Sequence, residues 1–72
     1  MNAMNRKQEL EIVLSETLKY RQRVYRLRHD MKISLLKGDK SKWLADVYLD
    51  TVRTLNELNA SIKAIRDEIK GL

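Results

Sequence analysis

The sequence predicts an all-α protein: an antiparallel two-helix hairpin, coiled-coil-like, that dimerises into a four-helix bundle. Three observations predict it. Proline is absent and glycine occurs only twice, while a third of the residues are charged and Leu, Ile, Val, Ala and Met supply most of the apolar content, the composition of a helix former. Strong internal punctuation is confined to one stretch, Leu36-Lys37-Gly38-Asp39-Lys40-Ser41. On both sides of it, apolar residues recur at alternating spacings of four and three.

The elements follow in order along a single domain, residues 1–72. Met1-Asn2-Ala3 stand ahead of a second methionine, Met4, and read as an addition before the native start, without functional weight. The first helix is expected from near Asn5 to Lys37, with Asn5 as N-cap and Gln8 three residues on, in capping-box position. Gly38 can take the left-handed conformation that closes it, and Asp39 or Ser41 can cap the second helix, expected from about Ser41 to Lys70 with Gly71 as its stop. Each helix would be about 45 Å long, and so short a connection forces them antiparallel.

The second helix carries the cleaner seam: Leu44, Tyr48, Thr51, Leu55, Leu58, Ile62, Ile65, Ile69 and Leu72. In the first helix a looser seam passes through Leu10, Val13, Thr17, Tyr20, Val24, Leu27, Met31 and Ser34, with Leu14 and Leu35 alongside. Beside the second seam stand Ala45, Val47, Val52, Thr54, Asn59 and Ser61, small or neutral residues where an isolated two-stranded coil would place paired charges. Such a face is too wide for one partner helix, and a domain of this size has little core to spare. A second copy related by a two-fold axis is therefore the expected partner, and another protein's helix the other candidate. The residues expected at the oligomer interface are Leu14, Tyr20, Val24, Leu27, Met31, Val47, Val52, Leu55, Leu58, Ile62 and Ile65, with Trp43 and Tyr48 as anchors near the turn.

The net charge of +5 comes from one segment: residues 19–37 hold seven basic side chains against Asp30 alone, whereas residues 38–72 hold six of each sign. A basic block on one element is the footprint of a protein that meets phosphate or another anionic surface. On a helical wheel the block splits into two ridges that border the seam. Arg21, Tyr25, Arg28 and Lys32 form one, and Lys19, Arg23, Arg26 and Asp30 the other. Arginine stems at such borders also shield a core and pair with acids. Glu9 and Glu16 could meet Arg23 across a dimer axis, while Arg53 offers local partners to the acids of the second helix. The expected function is a non-catalytic interaction or regulatory module acting through homo-oligomerisation or helix-mediated protein binding; the alternative is a nucleic-acid-binding hairpin dimer, with Arg21, Tyr25, Arg28, Lys32, Arg23 and Arg26 as candidate polyanion contacts.

Chemistry is not expected. A lone His29 and no cysteine argue against a transition-metal site, and no glycine-rich phosphate loop or cofactor box is present. Small helical mutases use arginine, lysine and glutamate pointing into a dimeric bundle, and no glutamate falls in either seam. The apolar runs are too short to span a bilayer, so a cytoplasmic protein without membrane attachment is expected, with no cofactor. At the level of fold alone, the predicted architecture resembles the ROP-type hairpin dimer, which binds RNA, and more loosely the helical-hairpin ribosomal proteins; no motif is shared residue by residue.

Overall fold

A computed structural model of the chain describes residues 5–38 and 41–72. Helix α1 spans Arg6–Leu36 and helix α2 spans Lys42–Lys70, with no strand among the described residues. They pack against each other as an antiparallel hairpin 54 Å in its longest dimension. The expected two-helix hairpin is present. Asp39, one of the two caps considered for α2, and the first three residues lie outside those described.

Local chemistry accounts for each helix end. The amide of Gln8 donates to Asn5 Oδ1 at 2.8 Å and the amide of Asn5 donates to Gln8 Oε1 at 3.2 Å, so the capping box satisfies two otherwise orphaned donors. At the other end the Lys37 amide donates to the carbonyl of Ile33, and that of Gly38 to the carbonyl of Leu35. Gly38 has φ of 97°, the left-handed region where a side chain would be strained. Ser41 then caps α2, its hydroxyl accepting from the Leu44 amide at 3.4 Å. Gly71 ends α2 without a left-handed turn, at φ −76°.

The interior is one seam. On α2 it follows the predicted positions: Leu44, Thr51, Leu55 and Ile62 are buried, and Tyr48, Leu58, Ile65 and Ile69 half-buried. Leu72, placed at its end by spacing, is instead exposed. The buried threonine needs no partner across the seam, because Thr51 Oγ1 donates to the Tyr48 carbonyl at 2.6 Å. Half-buried Thr17 does the same to Val13, at 2.7 Å. Among the described residues no buried side-chain nitrogen or oxygen lacks a hydrogen bond.

On α1 the seam lies one row away from its predicted course. Leu10, Val24 and Met31 are buried as expected, but the positions alternating with them are Leu14, Arg21, Arg28 and Leu35, all half-buried. The row expected there, Val13, Tyr20 and Leu27, stands outside at 49%, 50% and 51% exposure. Leu14 and Leu35 anchor the inward row at its two ends, and the arginine stems between them serve as apolar filler. A single partner helix can take in one of the two rows, and the more apolar row is left out. Trp43, expected as an anchor, is 70% exposed.

So thin a core leaves much surface uncovered. The chain exposes 5846 Å², where a globular monomer of its 8.5 kDa mass would expose about 4,700 Å². Its radius of gyration is 16.6 Å, against about 11 Å for a compact chain of this length.

Ile62 is 2% exposed, at the centre of the seam. Ile62→Ala is expected to lower unfolding free energy by about 3 kcal/mol in a urea titration. Gly38→Ala should cost about 1 kcal/mol from its backbone angle alone, since an added Cβ would meet nothing within 4 Å.

Candidate interaction surfaces

Three cross-helix contacts fix which rows share a side of the hairpin. Arg6 Nη2 donates to Glu68 Oε1 at 2.9 Å, with Nε of the same guanidinium at 3.3 Å. Steps of seven from Arg6 run through Val13, Tyr20 and Leu27, and steps of seven back from Glu68 run through Ser61, Thr54 and Val47. These two rows therefore lie side by side. Arg21 Nη1 donates to Asn59 Oδ1 at 3.0 Å, and the Arg28 guanidinium carbon lies 5.9 Å from the centroid of the Tyr48 ring. The row of Asn59, which includes Ala45, Val52 and Arg66, thus shares the opposite side with the row of Leu18, Tyr25 and Lys32.

The first side has an uncharged centre. Val13, Tyr20, Leu27, Val47, Thr54 and Ser61 carry no charge over about 21 Å of the hairpin's length, and Val47 and Thr54 are only half-buried. The outward neighbours of these rows are chiefly acids: Glu9, Glu16 and Asp30 on α1, Asp50 and Glu57 on α2. Arg23 stands among them. Glu68 sits at the open end of this side, where Arg6 holds it, and the hydrogen bond and charge of Glu68 raise the Arg6 pKa above its ordinary value.

The second side is cationic. Lys32, Lys42, Lys63, Arg66 and Lys70 lie on it, with Arg21 and Arg28 at its inner edge and Glu11 as its acid. The ion pairs among the described residues are Arg6 with Glu68 and Glu9, and Lys19 with Glu16 at 3.5 Å. Every one avoids this side. Arg53 makes none of the local pairs its spacing offered, and Asp50 and Glu57 stay unpaired.

The predicted site residues thus separate into groups. Of those expected at an oligomer interface, Val24, Met31, Leu55 and Ile62 are buried inside one hairpin, and Leu14, Leu58 and Ile65 are half-buried along its seam. Tyr20, Leu27 and Val47 lie on the uncharged side, Val52 on the cationic one. Of the six polyanion candidates, Arg21 and Arg28 are half-buried and turned toward α2, so the ridge drawn through Arg21, Tyr25, Arg28 and Lys32 is not a free outer ridge. Tyr25, Arg26 and Lys32 remain exposed, and Arg23 is exposed on the opposite side. What sequence reading missed was the cationic row of α2. Six charges of each sign conceal it in a count, and only the side each residue occupies reveals it.

Around Tyr25 and Arg26 the surface forms an open depression lined also by Gln22, His29 and Asp30. Among the described residues no cluster of His, Cys, Asp or Glu could hold a metal ion, and no helix is long and apolar enough to cross a membrane. Compared with family models, with curated proteins and with solved structures, the chain matches none.

Two arginines in a seam position weaken the hairpin relative to an apolar pair. Arg21→Leu with Arg28→Leu is expected to raise unfolding free energy by about 1 kcal/mol. A lower thermal midpoint would instead make the Asn59 and Tyr48 contacts the stronger contributors.

Proposed function

We propose that the protein is a cytoplasmic, non-catalytic interaction module that works by self-association, two hairpins meeting through their Val13, Tyr20 and Leu27 sides to form a four-helix bundle. The observation that carries this reading is the choice of rows in α1. The hairpin takes in the row containing two arginines and leaves outside a more apolar row at heptad spacing, beside the uncharged row of α2. Such a row in water is a loss that a partner removes.

A second copy fits that side. Its centre is neutral, so an identical surface can approach without repulsion, and its rim holds Arg23 together with Asp30, Asp50 and Glu57, acids in no ion pair, one of which a two-fold operation can bring opposite Arg23. The cationic side offers an identical copy only repulsion. The surface excess of about 1,100 Å² over a compact monomer is also of the order that one subunit buries in a standard interface, about 800 Å².

Light scattering coupled to size exclusion, over a hundredfold range of concentration, is expected to give twice the chain mass at the upper end. Tyr20→Glu with Leu27→Glu should return the mass to that of one chain while helicity by circular dichroism is kept. A wild type that stays monomeric throughout overturns self-association and assigns the side to another protein's helix.

A further inference from the structure

We infer that the cationic side of the hairpin is a docking face for a single-stranded nucleic acid, built from both helices and complete in one hairpin. It does not rest on self-association, since the bundle proposed above uses the opposite side.

The placement of charge carries it. Helix α2 is neutral in sum, yet Lys42, Lys63, Arg66 and Lys70 fall on the side that Lys32 occupies on α1, Asp50, Glu57 and Glu68 fall on the other, and Asp46, Arg53 and Asp67 occupy the outer face between them. Like charges aligned on one side repel one another, so the arrangement costs free energy in the isolated hairpin. None of these lysines and arginines makes an ion pair among the described residues, although acids are abundant elsewhere on the molecule. An anion that met this side would displace water and counterions and would break no existing pair.

The form of the side selects the kind of anion. Its cations run from Lys70 at the open end to Lys42 and Lys32 at the turn, about 40 Å along the helix axes, and the depression beside Tyr25 is open, so the side suits an extended ligand. Between the two ends stands Tyr25, 43% exposed, with Gln22 and His29 one turn to either side. Arg21 and Arg28 lie next to it at the seam, and Arg21 gives one donor to Asn59 out of the five a guanidinium carries. A planar ring among cations and hydrogen-bonding groups is what a stacked base and its flanking phosphates require. Recognition would follow charge and stacking more than sequence.

The test is fluorescence anisotropy with a labelled, mixed-sequence single-stranded RNA of about 20 nucleotides, using the full chain. Binding is expected at low salt, with affinity falling on added salt at a log–log slope of about −3 to −5. Lys63→Glu, Arg66→Glu and Lys70→Glu together should weaken it at least about tenfold. Tyr25→Ala should weaken it about tenfold with the salt slope unchanged, and Arg23→Glu, on the opposite side, should change it less than about twofold. If the charge-reversed triple loses helicity, Lys63→Gln with Lys70→Gln takes its place and should make the slope shallower by about 1.4. Absence of salt-dependent binding overturns the inference, as does an equal loss from Arg23→Glu. Heparin or anionic vesicles bound as tightly as RNA, with Tyr25→Ala inert, would assign the side to a different polyanion and overturn it equally.

Discussion

A hairpin of two helices has one seam, and one seam can absorb one apolar row from each helix. That constraint governs this molecule because α1 carries more than one candidate row. The row through Leu14 and Leu35 goes in, with the stems of Arg21 and Arg28 filling the positions between. The row through Val13, Tyr20 and Leu27 stays out. Everything distinctive about the surface follows from this choice: an uncharged strip on one side, guanidinium groups emerging at the edge of the other, and a core in which, among the described residues, no side chain is completely sealed from solvent. Among the described residues six apolar side chains are buried beyond nine-tenths, which is little for a chain this long, and small scaffolds commonly need a staple beyond their core.

Much of this was legible in the sequence, and the legible part has a common physical origin. Asn5 with Gln8, Gly38 and Ser41 act through their immediate neighbours, so the helix ends could be placed from a few residues each. The α2 seam was legible because its apolar residues follow one course and its flanks are small or neutral. Helix α1 was not, since Val13, Tyr20 and Leu27 compete with Leu14 and Leu35 for the same partner and the outcome depends on packing across the hairpin. Propensity carries no information about that choice. A wheel that scores arginine as polar will also place it outside a seam, whereas its four-atom stem can occupy a half-buried position and let the head escape.

The charged residues repeat the same lesson at longer range. Counting by segment located an excess in residues 19–37 and declared α2 balanced. Position by side changes both statements. Part of the α1 excess is turned toward α2, where Asn59 and Tyr48 receive it, and α2 contributes a cationic row of its own. The two sides of the hairpin therefore present different chemistry, and occupation of one would leave the other open. A protein of this size could in this way join two associations that share no residue.

Charge sorted across the narrow dimension of a rod has one more consequence. The hairpin measures 54 Å by 23 Å by 15 Å, with most of its acids on one long side and Lys32, Lys42, Lys63, Arg66 and Lys70 on the other. It therefore carries a permanent dipole moment perpendicular to its long axis, in addition to its net charge. In the field of a polyanion such a body experiences a torque as well as an attraction, and it turns its cationic side forward before contact. The orientational search that slows most encounters between proteins and their ligands would be shortened accordingly.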